Sequence, residues 1–298
     1  MKILALKVDV DTLRGHREGV LNLLNLFDRL SLKASFFFSM GPDNSGKAIV
    51  RIFRKGFLGK MLRTKAPSTY GLKTLFYGTL IKAPMIAQSF PGLLKETARR
   101  GHDFGIHAWD HVKWQDRIHK LPVTTIEADL RRAFDLFYQY TGHQPRSFAA
   151  PGWQVSQDAL LVLDSMRLRY TSNTRGLFPY VPRWGRKAFS TLEIPTTLPT
   201  MDELLGRRGL KGEEMARHLA SLLKEGLNVF TLHAEMEGLS QIGVFESFLR
   251  SAMDQGAKCV PLSFVADQIP RDELPRCEIG IGTVEGRAGT LAVQATEA

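Results

Sequence analysis

The stretch Lys2–Asp11, KILALKVDVD, decides how this chain is read. Its alternation marks a strand, in which successive side chains point to opposite faces. Ile3, Ala5, Lys7, Asp9 and Asp11 then share one face, and Leu4, Leu6, Val8 and Val10 share the other. One face is wholly aliphatic, and the other ends in two carboxylates. Residues 18–30 follow as a helix with Leu21, Leu24 and Phe27 among its apolar positions, and Lys33–Met40 (KASFFFSM) reads as a buried strand.

The same alternation of helix and strand continues outward. Pro91 opens a helix that Gly101 ends, and 102–107 (HDFGIH) is a strand. Thr125 caps a helix that stops at Gly142, and 146–153 (RSFAAPGW) is a strand running into a loop at Pro151. A helix over 156–166 and a strand over 168–173 precede a long irregular stretch, 176–212, which holds one strand at STLEIP. The series closes with a helix from Gly212, a strand at 228–235 (NVFTLHAE), a helix over 243–255 and a strand at 257–265 (AKCVPLSFV). Such a series predicts an α/β fold, a distorted or incomplete (β/α) barrel in one domain over 1–270. Residues 271–298 lose the periodicity and read as a loosely ordered tail.

Lys and Arg number 40 against 30 Asp and Glu, a formal charge of +10, with 44% hydrophobic residues. That composition excludes disordered and collagenous chains. Cys259 and Cys277 form no CxxC pair, which argues against a disulfide framework and a cysteine zinc site. The longest uncharged run, Ala83–Leu94, falls short of the roughly 20 apolar residues a spanning helix needs. The first residues run into Asp9 and Asp11 too soon for a signal peptide, so the expected location is cytoplasmic.

The positive charge is concentrated. Asn44–Lys95 holds ten basic residues and no acidic one, which leaves the remainder near neutrality. Within this insertion after the second strand (residues 43–95), Ile49, Ile52, Phe53 and Phe57 recur at helical spacing among Arg51, Arg54 and Lys55, followed by Lys60 and Arg63. A basic amphipathic helix of this kind suits an anionic membrane surface, worth about 1 kcal/mol per basic side chain. A solvated insertion packed on its own domain and a nucleic-acid surface are the competing readings; no nucleic-acid-binding motif supports the last.

Chemistry in barrels lies at the C-terminal strand ends, and the polar outliers fall there. Asp9 and Asp11 close the first strand, His107 and His111 follow the third, Pro151, Gly152 and Trp153 the fourth, and His233 ends NVFTLH. His-x-x-x-His can converge on one ion, and two imidazoles plus a carboxylate leave positions open for water and substrate. One aspartate suffices for the ion, which leaves the other free as a base. Each piece alone has a plain structural reading; their joint placement points to metal-dependent hydrolysis.

VDVD, HAWDH, RSFAAPGW and TLHAE, in that order, resemble the motifs of the polysaccharide deacetylase family of NodB type. The resemblance covers about 2–269 and implies a distorted (β/α) barrel that hydrolyses an acyl group from a sugar. It implies Asp11, His107 and His111 as ligands of a divalent ion (Zn, Co, Ni or Mn) and Asp9 as general base. Arg146 would pair with Asp9, His233 would be the general acid, and Pro151–Trp153 would form the substrate wall. The commonest family pattern has adjacent aspartates followed by Gly-Pro; here Val10 separates them and Thr12 follows.

A branch of the family is similar over nearly the whole chain, through LKVDVDTLRG, FFFSMGPDNSG, FLGKMLRTKAPSTYG, HAWDHVKWQD and TLHAEMEG. That similarity implies hydrolysis of the formamide on an undecaprenyl-phosphate-linked aminosugar. The setting it implies is the cytoplasmic face of the bacterial inner membrane, with peripheral attachment. The free amine would serve lipid A modification and resistance to polymyxin. Deacetylation of peptidoglycan or another glycan is the alternative activity within the family.

Overall fold

The computed structural model describes residues 1–48, 73–207 and 209–295. Eight parallel strands form the main sheet: β1 (Lys2–Val10), β2 (Ser35–Phe38), β3 (Asp103–Ile106), β4 (Ser147–Phe148), β5 (Tyr170–Thr171), β8 (Leu192–Glu193), β9 (Gly226–His233) and β10 (Lys258–Val260). β1 is central. Along its length it pairs with β9, while β10 and β2 take successive segments of it, and the order then runs through β3, β4 and β5 to β8. After β8, the Thr197 and Leu198 N–H groups both reach Val229 O of β9 at 3.1 Å, so irregular bonds rather than a ladder join these edges. This is the distorted barrel the alternation predicts.

The two faces of β1 divide the core. Leu4, Leu6, Val8 and Val10 pack outward under the helices, in one cluster with Leu23, Phe27, Phe36 and Phe38. Ala5 joins Phe37, Ala149, Tyr170, Leu192 and Val229 inside the barrel. Full burial of such side chains is worth roughly 1.5–3 kcal/mol each, which fixes the register and holds Lys7, Asp9 and Asp11 on the interior face.

The first helix begins as a π-helical turn, Gly15–Gly19, and continues as Val20–Arg29. Gly19 lies so close to the residue after β9 that an added Cβ would sit 1.9 Å from Ala234 O. No side chain fits there, which is why the helix can press against the strand that delivers His233.

Several boundaries differ from the sequence reading. The helix Val123–Thr141 starts after Pro122, so Thr125 is inside it rather than its cap. Pro122 is extended, and the fixed φ of proline suits the position before a helix. The run 257–265 is not one strand: β10 ends at Val260, Pro261 breaks the ladder, and Leu262–Gln268 is a helix. Residues 271–298 are not loosely ordered over their described part. β11 (Arg276–Gly282) and β12 (Leu291–Ala295) pair antiparallel and join β6 (Val181–Trp184) and β7 (Lys187–Ala188) in a second, four-stranded sheet. The missed signal is a short alternation: Ile279 is buried between partly exposed Glu278 and Gly280, and buried Ala292 and Gln294 flank partly exposed Val293. Arg51, Arg54, Lys55, Lys60 and Arg63 lie outside the described residues.

Candidate metal centre and active site

Three strand ends bring the predicted residues together. In the β1–β9 register Asp9 is directly opposite His233, and β3 leads into His107. His107 N–H donates to Phe38 O at 2.8 Å, which continues the β2–β3 pairing and places the imidazole at the barrel rim. His111 is the first residue of the helix His111–Arg117. Asp110 caps that helix by accepting from Lys113 N at 2.9 Å, and its other oxygen accepts from Asn44 Nδ2 at 2.6 Å. The neighbouring Asp43 accepts from Leu13 N at 2.8 Å, so the loop after β2 ties the exit of β1 to the histidine loop.

His107 Nε2 is 3.2 Å from Asp11 Oδ1, and His111 Nε2 is 3.3 Å from Asp11 Oδ2. One donor atom from each of the three residues lies within 4.8 Å of the others. Bond lengths near 2.1 Å in a tetrahedral site place donors about 3.4 Å apart, so the set fits a divalent ion with little movement. His107 Nδ1 is 2.8 Å from Ala149 O, a contact that makes Nδ1 the donor and leaves Nε2 as a ligand atom. Asp11 Oδ1 is buried without a hydrogen-bond partner, as a carboxylate awaiting a cation would be. Burial raises the Asp11 carboxyl, but the charge of His111 and the closeness of both imidazoles outweigh it and hold it well below the usual range.

Asp9 is buried, and its two oxygens differ. Oδ2 pairs with Lys7 Nζ at 3.3 Å; Oδ1 has no hydrogen-bond partner and is 3.9 Å from His107 Nδ1. Burial lowers the His107 imidazole, yet the Asp9 and Asp11 carboxylates prevail and raise it. The expected Arg146 pairing is not found. Arg146 is exposed just before β4, at the opposite end of the barrel from the carboxylates, and Lys7 stands beside Asp9 instead. A residue preceding a parallel strand sits at the N-terminal rim, so Arg146 cannot reach the other end.

Pro151–Trp153 forms a tight turn in which Gly152 and Trp153 both have positive φ, +60° and +53°. A Cβ on Gly152 would be 2.4 Å from the Gln115 amide, one turn beyond His111. Trp153 is buried; its Nε1 donates to Thr196 Oγ1 at 3.1 Å, and the Arg175 and Arg287 guanidinium groups lie 5.1 and 4.4 Å from its ring centroid. Arg175 also donates to Glu203 at 2.7 Å.

Lys7, Asp110 and Arg287 were not among the expected site residues. Lys7 carried a signal, because it shares the alternating face of Asp9 and Asp11. Arg287 carried none, since its approach depends on strands not foreseen. Glu235 and Glu237, just after His233, are fully buried, and burial raises both, Glu237 to about 8. The Glu237 carboxyl oxygen Oε2 accepts from His233 N at 2.8 Å and so holds the backbone at the end of β9.

The family model for polysaccharide deacetylase matches residues 2–171. A probable 4-deoxy-4-formamido-L-arabinose-phosphoundecaprenol deformylase ArnD of Shewanella sediminis is 36% identical over 296 residues, covering 98% of this chain and 94% of that protein. A protein of the same name in Wigglesworthia glossinidia brevipalpis is 32% identical, covering 94% of this chain and 98% of that one. Among solved structures, a family 4 acetyl xylan esterase from Clostridium thermocellum in complex with a cobalt ion superposes with a TM-score of 0.53 at 14% identity, covering 91% and 94% of the two chains. The last shows the fold alone.

Proposed function

Since this chain belongs to the polysaccharide deacetylase family, we propose that it hydrolyses the formamide of 4-deoxy-4-formamido-L-arabinose-phosphoundecaprenol. It is a hydrolase of amide C–N bonds, and water and the formamide would yield formate and the free amino sugar. The observation that carries the reading is the convergence of Asp11, His107 and His111, with Asp9 and His233 side by side on adjoining strands. The two deformylase relatives, similar along nearly the whole chain, supply the substrate.

When bound by Asp11, His107 and His111, a divalent cation (Zn, Co, Ni or Mn) supplies Lewis-acid polarisation of the acyl carbonyl and acidifies water. Asp9 Oδ1 accepts the proton of the attacking water, and His233 protonates the departing nitrogen. The developing oxyanion needs an N–H donor. Pro151 has none and Trp153 N–H is committed to Ala150 O, which leaves Gly152 N–H in that turn. Trp153 offers a wall to the sugar.

The substrate's lipid places the reaction at a membrane, on the cytoplasmic face of the inner membrane in this reading, with the amine destined for lipid A. No helix among the described residues is long and apolar enough to cross a membrane. Where the insertion rejoins the described chain, Phe76, Leu80 and Ile81 are exposed, Leu80 by 83%, and Lys82 follows. Together with Arg51, Arg54, Lys55, Lys60 and Arg63 they make an apolar and basic combination suited to anionic lipid.

Release of formate from the formamido form and of acetate from the acetamido form of the lipid-linked sugar, assayed side by side with purified protein, tests the reading. Cleavage of the formamido form is expected; cleavage of the acetamido form alone would make the protein a deacetylase. His107→Ala should lose bound metal and activity together. Asp9→Asn should keep the metal, measured by elemental analysis, and lose turnover by about 10²–10⁴-fold. Normal turnover in Asp9→Asn would remove Asp9 as the base.

A further inference from the structure

Lys7 has no access to solvent and sits inside the barrel, two residues before Asp9 on the same strand face. A buried ammonium is costly unless it is paired and hydrogen-bonded. Here Nζ is 3.3 Å from Asp9 Oδ2 and donates to Ser172 O at 3.1 Å. It also lies 5.3 Å from the Trp153 ring centroid and 6.0 Å from that of Phe37, within cation–π range. One side chain therefore touches the aspartate, the backbone beyond β5 and the aromatic wall.

The consequence for Asp9 is an asymmetric carboxylate. Oδ2 is engaged by Lys7, whereas Oδ1 is buried, has no hydrogen-bond partner among the described residues and faces the His107 side of the site. Without the ammonium, the carboxylate plane would be free to turn about the Cβ–Cγ bond. With it, the plane is held and one oxygen stays turned to the site.

We propose that Lys7 is a positioning residue for the hydrolysis: it fixes Asp9 by Oδ2, aims Oδ1 at the attacking water, and ties that geometry to Trp153. The proposal rests on the reading of Asp9 as the general base. The positive charge comes from β1 itself rather than from the exposed Arg146 before β4. Both Lys7 and Asp9 belong to one strand, so their separation is set by the pleat and not by the packing of distant loops.

A structural lysine that only neutralises a buried carboxylate would look similar at rest. A double-mutant cycle separates the two roles. Lys7→Met, close in shape and uncharged, should keep bound metal and leave KM within threefold while kcat falls at least 50-fold. Lys7→Arg should recover at least fivefold over Lys7→Met. In the Asp9→Asn background, Lys7→Met should cost less than threefold more, because a residue acting through Asp9 has nothing left to position. The proposal is overturned if Lys7→Met turns over within threefold of the wild type, or if its loss multiplies in full with that of Asp9→Asn. Should Lys7→Met fail to fold, as judged by its thermal transition, the cycle is run with Lys7→Gln, uncharged but still able to donate to Ser172 O, against the same two criteria of kcat loss and non-additivity. If the wild type leaves the formamido sugar intact, the substrate reading fails by itself. The cycle is then read on 4-nitrophenyl acetate, whose hydrolysis calls on the same base.

Discussion

Gly152 shows how tightly one position can be bound to the site. It needs a positive φ, and the Gln115 amide occupies the place of its missing Cβ. Gly152→Ala is therefore expected to push the Gln115 side chain aside and to strain the turn that carries Trp153. The left-handed backbone alone costs an alanine about 1–2 kcal/mol. Because the turn also offers the one uncommitted N–H between Pro151 and Trp153, kcat should fall more than stability does. Steady-state kinetics beside a urea titration would show this; a variant with unchanged kcat would place the oxyanion donor elsewhere. At this scale the sequence was informative about residue type and poor about partners. Asp9, Asp11, His107, His111 and His233 could be named from their placement at strand ends. The neighbour of Asp9 could not, because whether Lys7 or Arg146 reaches it depends on which end of a strand each occupies.

Among the elements, the short helix His111–Arg117 is the one on which the metal centre most depends, since its first residue is a prospective ligand. Its N-terminus is fixed by Asp110, whose two oxygens face Lys113 N and Asn44 Nδ2. Loss of an N-cap carboxylate costs about 1 kcal/mol of stability. Asp110→Ala should show that loss, and it should also weaken the hold on His111, lowering affinity for a divalent ion by about 10–100-fold, as removal of supporting hydrogen bonds around metal ligands does. Competition with a chromogenic chelator measures it; unchanged affinity would mean that Val112 and Trp114, both buried, hold the helix without the cap. The grip of Asn44, after β2, on the histidine loop was not legible, since that bond spans 66 residues. The long, alternating β1 could be read face by face, and β9 as the strand that delivers His233. The short β4 and β8 were placed within RSFAAPGW and STLEIP, but their two-residue extents were not legible, because such strands are defined by their neighbours rather than by any period of their own.

For the whole molecule, two buried histidines outside the site set the response to acid. His16 is packed edge-on against Phe38 with Nε2 donating to Phe90 O at 3.0 Å, and His102 lies between Phe27 and Phe36 with Nδ1 accepting from Ala34 N at 3.2 Å. Burial, joined for His102 by the Lys33 charge, holds each imidazole down at about 4 from the usual 6.5. Depressed histidines bind protons more readily when the chain unfolds. Their contribution is therefore complete above about pH 6.5 and is lost as pH falls towards 4. By pH 5 the two together remove about 4 kcal/mol, a large share of the roughly 5–15 kcal/mol available to a domain. His107, raised by its carboxylates, works in the opposite sense in metal-free protein, so the comparison must hold its contribution constant. Urea denaturation of metal-free wild type and of the His16→Gln, His102→Asn double variant at pH 7.5 and pH 5 does so, because His107 is common to both. Gln at 16 keeps a donor for Phe90 O, and Asn at 102 keeps an acceptor for Ala34 N–H. The wild type should lose more stability than the double variant across that interval. Equal losses would mean that both imidazoles already titrate normally in the folded protein, and that the layer between β2 and the first helix admits water.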